Sequence, residues 1–269
     1  MPLSKKNFDV FTTRIKELSG IVITSDKEYL LESRLMPLVQ KYGLNDLNGL
    51  ANYLKENKDS ALLNEIVECM TINESSFFRD IKPFDYLRDS IIPKIISTCP
   101  EKNKFHIWSA ASSTGQEAYS IAMTLAEMPL CKDKIFEIYA TDIDPNVLET
   151  AREGLYTQFE VQRGVPIIML IKYFTQENGD RWRIKDNIKQ MVKFEKFNLL
   201  DKTEEIGMFD IIFCRNVLIY FDNQTKEKVL VNISKVMEPH AYLFTGGTES
   251  LIGVNTTLQP VEGMVSVFR

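Results

Sequence analysis

Four stretches of the chain carry residues whose types and spacing suit ligand chemistry. The first is Ser109-Ala-Ala-Ser-Ser-Thr-Gly115-Gln-Glu117, directly after the apolar run FHIW. A strand, a turn of small residues and then a helix lets a ligand approach the backbone closely, with helix N-terminal N–H groups facing it. An ordinary strand-to-helix turn is the alternative, since the run holds one glycine. A P-loop is excluded, because no Gly-Lys-Ser/Thr follows. The second is Asp142, at the end of EIYATD. An acidic residue at a strand tip is placed to accept hydrogen bonds from ribose hydroxyls. Asp144-Pro145 reads as a helix start with Asp144 as its cap; Asp142 is open between cap and ligand.

The third is Cys214-Arg215-Asn216, after FDIIF. Polar residues just past a buried strand sit at the ligand edge of a sheet, and the planar fork of Arg215 suits a carboxylate. A solvated loop is the competing reading. The fourth is Asn73-Glu-Ser-Ser-Phe-Phe-Arg79-Asp80. Two aromatics beside an arginine suit a lid over a site, or equally a hinge packed for stability. On these residues alone the hinge is preferred.

The elements that must position these residues are of two kinds. The first seventy or so residues read as helices only. Phe8, Phe11, Ile15 and Leu18 recur at helical spacing, and Gly20 follows as a stop. Ser25-Asp-Lys-Glu28 reads as a capping box. Behind it Leu30, Leu31, Leu35, Leu38 and Val39 form an apolar stripe closed by Gly43, and shorter helices are expected around 47–54 and 62–70. From Phe105 onward short apolar runs alternate with helical stretches: FHIWSA, IFEIYATD, MVKFEKFNLL, FDIIFCRN and AYLFTGG are the runs. Such alternation predicts an α/β fold with a doubly wound, mainly parallel sheet, which binds ligands beyond the carboxyl ends of its strands. Between about 156 and 190 the alternation breaks. The turn-like Asn178-Gly179-Asp180 predicts an inserted β-hairpin or small antiparallel sheet.

Composition narrows the function. Of 269 residues 44% are apolar and 26% charged, as in an average globular protein. The net charge is −5, and no basic stripe is visible, which speaks against nucleic acid as a partner. Cys69, Cys99, Cys131 and Cys214 are scattered without a CxxC pair, and only His106 and His240 accompany them, so neither a metal site nor a disulfide framework is expected. MPLSKKNFDVF has no apolar signal core, and no apolar run approaches the ~20 residues of a membrane span. A cytoplasmic protein without membrane insertion is expected, a monomer by default.

Taken together, the motifs resemble the CheR-type chemotaxis receptor methyltransferases. The resemblance is carried by Asn73-Glu-Ser-Ser-Phe-Phe-Arg79 and Ile107-Trp-Ser-Ala-Ala-Ser-Ser-Thr-Gly-Gln-Glu117-Ala-Tyr-Ser-Ile-Ala-Met123. Ala140-Thr-Asp142-Ile-Asp144, Asn198-Leu-Leu200, Phe209-Asp-Ile-Ile-Phe-Cys-Arg-Asn216-Val-Leu-Ile-Tyr-Phe-Asp222 and Gly246-Gly-Thr-Glu-Ser-Leu251 follow in the family's order. The resemblance implies an N-terminal helical domain over 1–72. A Rossmann-like methyltransferase domain would span 73–269, with a β-subdomain inserted at about 156–190. It implies methyl transfer from S-adenosylmethionine to glutamate side chains of chemoreceptor cytoplasmic domains, forming glutamyl methyl esters in chemotaxis adaptation.

By motif, Asn73, Ser75 and Arg79 would border the cofactor, and Gly115 and Glu117 would lie at its first loop. Asp142 would hold the ribose, Asn198 and Leu199 would flank the adenine, and Arg215 and Asn216 would close the site. Arg79 and Tyr220 are the choices beside the reactive methyl group. Ser75 stands where the family usually has Thr, and Gln116 where Glu is common. The family's receptor-contacting basic face on the second helix is thin, with Lys27, Arg34 and Lys41 separated by Glu28 and Glu32. Some members bind a receptor's C-terminal peptide by strand addition at the β-subdomain, for which Arg181–Lys189 is the candidate segment. The competing readings are a non-catalytic cofactor-binding signalling scaffold and a related methyltransferase with a different acceptor. A nicotinamide oxidoreductase is disfavoured, because GxGxxG is missing.

Overall fold

The fold is that of a computed structural model describing residues 2–57 and 59–269. The chain divides into two units, Met1–Ile72 with Tyr220–Lys226, and Asn73–Ile219 with Glu227–Arg269.

In the first unit, helical periodicity decides the structure. α1 (Lys5–Ser19) is capped by Ser4, whose side chain accepts from the Asn7 N–H. It buries Phe11 and Ile15 and stops at Gly20, at φ +79°. A Cβ on Gly20 would also lie 2.8 Å from Thr225 Cγ2, so conformation and space both demand glycine. α2 (Glu28–Lys41), α3 (Leu47–Asn57) and α4 (Ser60–Met70) complete the bundle around Leu31, Leu35, Leu50 and Leu62. The capping box expected at Ser25 and Glu28 does not form. Ser25–Lys27 coil into a 3-10 turn, so Glu28 opens α2 instead of standing at its third position, and no side chain caps the start. Arg34 and Lys41 of the expected basic face are engaged within this unit. Arg34 Nη1 donates to the carbonyls of Met70 and Thr71, and Lys41 Nζ to Glu65 at 2.8 Å.

In the second unit, α5 (Lys82–Tyr86), a π turn and α6 (Ile92–Thr98) form one continuous helical stretch. The alternation then follows: β1 (Lys104–Ala110), α7 (Gln116–Ala126), β2 (Ile135–Asp142) and α8 (Pro145–Glu153). The insert contributes β3 (Leu155–Thr157), α9 (Gln158–Gln162), α10 (Ile167–Tyr173), β4 (Phe174–Glu177), β5 (Arg181–Ile184) and α11 (Asp186–Lys189). β6 (Val192–Lys196), β7 (Phe209–Cys214), α12 (Asn223–Lys235), β8 (Met237–Thr245) and β9 (Val267–Phe268) close the chain. The main sheet runs β6-β2-β1-β7-β8-β9; its first five strands are parallel, and β9 is antiparallel to β8. β7 is buried at every position, the pattern of a central strand covered on both faces.

The insert forms a three-stranded antiparallel sheet, β3-β5-β4, with Asn178 and Gly179 at positive φ in the hairpin turn. It is richer in helix than a bare hairpin. Pro166 precedes α10, which turns Leu170 and Tyr173 into the core, so packing overrides the β-branched run Ile167-Ile168. A genuine capping box stands here: Thr157 Oγ1 accepts from the Glu160 N–H, while Glu160 Oε2 accepts from the Thr157 N–H. The expectation of strand addition at Arg181–Lys189 is overturned. β5 is the central strand, paired to β3 on one side and β4 on the other, and 186–189 is a helical turn. The edges of this sheet are β3 and β4.

Candidate functional site

The second unit brings five strand carboxyl ends together along one edge of the parallel sheet. After β1, the turn from Ala111 to Gly115 places Ala111, Ser113 and Gly115 at positive φ. Gly115 is at φ +90°, and a Cβ there would meet Ala151 Cβ at 2.9 Å and Phe194 Cζ at 3.1 Å. Glycine is thus a steric requirement at position 115, and α7 begins directly after it.

Asp142 ends β2 beside that turn. Its Oδ2 accepts from the Ser113 N–H at 2.8 Å and its Oδ1 from the Asp144 N–H at 3.0 Å. Burial pushes its carboxyl above the usual range, and those backbone N–H groups pull the other way. The cap of α8 is Asp144, which accepts from the Asn146 N–H at 2.9 Å. Asp142 is therefore not a helix cap. Asn73 donates through Nδ2 to Asp144 Oδ2 at 2.9 Å, and its carbonyl accepts from Ser113 Oγ at 2.7 Å. These bonds tie the Asn73 segment to both strand ends. Ser75 is partly buried on the same segment.

Glu117 and Arg215 form a buried pair, with Arg215 Nη1 donating to Glu117 Oε2 at 2.8 Å. Ser109 Oγ donates to the other carboxylate oxygen at 2.8 Å. Burial raises the Glu117 carboxyl, against the pull of Arg215 and Ser109. Arg215 Nη2 donates in turn to the Arg79 carbonyl at 3.0 Å and to Asp80 at 2.7 Å, and its guanidinium lies 5.9 Å from the Phe84 ring centroid. The Arg79 side chain is directed elsewhere, donating to the Glu74 carbonyl at 3.1 Å. Phe78, Asp80 and Ile81 have positive φ, which is strained for a β-branched residue such as Ile81. The segment is pinned by Phe77, fully buried with edge contacts to Tyr156 and Phe174. Gly164 passes so close that a Cβ there would lie 1.9 Å from the Phe77 carbonyl oxygen.

Asn198 and Leu199 follow β6, where the Asn198 side chain accepts from the Leu200 N–H at 3.0 Å and Leu199 is buried. Phe197 N–H donates to the Asp142 carbonyl, which sets this loop beside β2. Asn216, at φ +59°, follows Arg215. Tyr220 belongs to the first unit, where its carbonyl accepts from the Val22 N–H at 2.9 Å. The structure thus gathers Asn73, Gly115, Glu117, Asp142, Asn198, Leu199, Arg215 and Asn216 at strand ends of one sheet or on segments tied to them.

Sequence reasoning named Arg215 and the turn that holds Ser112 but passed over Thr245. Ser112 Oγ, Arg215 Nε and Thr245 Oγ1 are buried polar atoms without a hydrogen-bond partner among the described residues, the first two just after β1 and β7 and the third at the end of β8. It also passed over Glu249, which accepts from the N–H groups of Asn216 at 2.9 Å, Leu218 at 2.7 Å, Ile219 at 3.3 Å and Gly246 at 2.5 Å. One carboxylate thereby fixes the loops after β7 and β8. The signal was available in Gly246-Gly-Thr-Glu249, a buried acidic residue three positions after a strand-end glycine.

The family described as "CheR methyltransferase, SAM binding domain" matches residues 73–267, and "CheR methyltransferase, all-alpha domain" matches 6–71. The chain belongs to the CheR methyltransferase family. A chemotaxis protein methyltransferase named Cher2 from Pseudomonas putida is 36% identical over 266 residues, covering 97% of this chain and 96% of the relative. A chemotaxis protein methyltransferase from Vibrio parahaemolyticus is 38% identical over 262 residues, covering 96% and 94%. One from Escherichia coli is 34% identical over 254 residues, covering 93% and 86%. The strand-end arrangement fits the cofactor that the CheR domain description names. Unpartnered buried hydroxyls and a guanidine N–H suit a polar ligand, and position 115 itself has no room for a side chain. No helix among the described residues is long and apolar enough to cross a membrane.

Proposed function

We propose that this CheR family member transfers a methyl group from S-adenosylmethionine to glutamate carboxylates on the cytoplasmic domains of chemoreceptors, forming glutamyl methyl esters in chemotaxis adaptation. The observation that carries the reading is Asp142: a buried carboxylate at the tip of β2, beside the left-handed Ala111–Gly115 turn, that caps no helix. Asp142 would hold the ribose and Glu117 the amino group. Asn198 and Leu199 would flank the adenine, and Asn73, Ser75, Arg79, Gly115, Arg215 and Asn216 would border or close the site. Bound there, S-adenosylmethionine would supply an electrophilic methyl group on its sulfonium.

The chain's own residues then have a limited task. A glutamate acceptor, with a reference pKa of about 4.3, is already ionised at neutral pH, so no general base is needed. The protein must exclude water and orient the acceptor. Arg79 and Tyr220 are proposed to donate to one acceptor oxygen while the other reacts; both choices rest on the motif alone, and Arg79 would first leave the Glu74 carbonyl. We place the helical domain at 1–72 and the methyltransferase domain at 73–269, with the β-subdomain at about 156–190. The protein would act in the cytoplasm as a monomer. A receptor C-terminal peptide, where used, would add to β3 or β4.

Calorimetry with S-adenosylmethionine and S-adenosylhomocysteine tests the cofactor site, with micromolar binding expected. Base-labile methyl label on receptor cytoplasmic fragments tests the acceptor. Binding without transfer to any receptor fragment would favour the scaffold reading, and no binding would end the methyltransferase reading.

A further inference from the structure

At the amino-terminal end of the parallel sheet, away from the strand ends described above, lies a second set of chemically active groups. Asp210, the second residue of β7, has a side chain only 1% exposed. Its Oδ2 accepts from the His106 N–H at 2.8 Å, and its Oδ1 accepts from Lys102 Nζ at 2.5 Å and faces His240 Nε2 at 2.6 Å. His240 stands in β8 where the pairing with β7 shifts register, between Phe209↔Met237 and Ile211↔Tyr242. Such irregularities re-aim side chains. Here it turns His240 toward Asp210. The other ring nitrogen, Nδ1, lies 3.6 Å from Cys99 Sγ, at the C-terminal end of α6.

With Asp210 accepting at Nε2, the neutral tautomer of His240 turns Nδ1 toward the thiol as an acceptor. A thiol facing an imidazole that a buried carboxylate orients is the arrangement that activates a cysteine nucleophile. Cys99 and His240 are both partly exposed, so a small reagent can reach the sulfur. The other cysteines of this unit differ. Cys131 and Cys214 are buried, and burial pushes the Cys131 thiol up to about 11 and that of Cys214 well above the usual range. The charged groups near the pair are Asp210 on β7, Glu238 on β8, Lys94 on α6, Glu101, exposed two residues after Cys99, and Lys102 and Lys134. Lys94 Nζ lies over the Tyr242 ring, Glu238 sits 3.7 Å from Lys102, and Lys134 donates to the carbonyls of Pro100 and Lys102.

We propose that Cys99, His240 and Asp210 form a thiol site that reacts with small disulfides. His240 Nδ1 takes the Cys99 proton. The thiolate attacks one sulfur of the reagent, a new S–S bond forms to Cys99, and the reagent's S–S bond breaks. The other half leaves as a thiolate and recovers the proton from His240. Nothing is oxidised or reduced beyond the exchange.

The test uses the full chain, reduced, with glutathione disulfide as probe, and reads modification at each cysteine by peptide mass spectrometry from pH 6 to 9.5. Cys69, in the first unit, is the internal reference. Near pH 7, Cys99 is expected to react at least about tenfold faster than Cys69. His240→Gln is expected to slow Cys99 by at least about tenfold near pH 7, with the gap closing near pH 9.5, where a thiol ionises unaided. A thermal melt checks that the variant folds. Should it not, the wild-type pH profile decides: a Cys99 profile matching that of Cys69 overturns the proposal. Equal rates for wild type and a folded His240→Gln overturn it too, as does rapid alkylation of Cys99 by iodoacetamide without disulfide exchange.

Discussion

Arg215 Nη1 donates to Glu117 Oε2 at 2.8 Å across 98 residues of sequence, and joins the end of β7 to the first turn of α7. The guanidinium is 1% exposed and also holds Asp80 and the Arg79 carbonyl. Arg215→Ala leaves Glu117 buried without its counter-charge. Breaking a buried pair on one side costs about 3–5 kcal/mol. The sign with pH follows from the raised carboxyl of Glu117. A carboxyl whose folded pKa lies above its unfolded one favours folding at low pH, and that contribution is lost as pH rises through the folded value. Guanidinium unfolding of Arg215→Ala is therefore expected to show a larger loss at pH 8 than at pH 5.

Asp142→Asn separates binding from folding. The amide oxygen still accepts from one of the Ser113 and Asp144 N–H groups, and ionising a buried carboxylate is no longer required. The melting temperature is expected to change little. Affinity for S-adenosylhomocysteine is expected to fall at least about tenfold by calorimetry, the loss of one hydrogen bond to a charged group. Unchanged affinity would remove Asp142 from the site.

Glu249→Ala leaves the N–H groups of Asn216, Leu218, Ile219 and Gly246 without their acceptor. Each unsatisfied buried donor costs about 1–3 kcal/mol, offset wherever water enters. Hydrogen exchange at these four amides is expected to accelerate together, and Glu249→Gln to restore part of the protection through its remaining oxygen.

Gly164→Ala puts a methyl group 1.9 Å from the Phe77 carbonyl oxygen, so the backbone must move. The cost is steric overpacking of about 1–3 kcal/mol. Because the displaced segment continues into Arg79, cofactor affinity is expected to fall along with the melting temperature. An alanine variant that melts and binds as wild type would contradict this close approach.

Asp222 receives Lys16 Nζ at 2.6 Å and the Thr225 N–H at 2.9 Å, which hold its carboxyl down at about 2. A depressed carboxyl stabilises above its unfolded value of 3.8 and loses that contribution as pH falls toward the folded one. The pair is partly exposed, so its worth is about 1 kcal/mol or less. Asp222→Asn is expected to be less stable than wild type near pH 6, with the difference narrowing below about pH 4 in urea titrations.

Much of this protein is legible in local sequence. Helical spacing of Phe11 and Ile15, the stop at Gly20, the cap at Asp144 and the mostly apolar β7 run each report on one element, because periodicity and turn chemistry act over a few residues. The placement of Gly115, Asp142 and Arg215 after strands was readable for the same reason. What lay beyond it was decided by long-range pairing. Ser25 and Glu28 have the letters of a capping box, yet the 3-10 turn at 25–27 shifts the helix start past it. Arg181–Ile184 reads as an available strand, but two partners occupy it. The pairing of Arg215 with Glu117, the capture of the Asn216, Leu218 and Ile219 amides by Glu249 and the alignment of Cys99 with His240 and Asp210 join residues 30 to 141 positions apart. No local pattern encodes such contacts. Sheet order, register and close packing create them, and these exist only once the chain has folded.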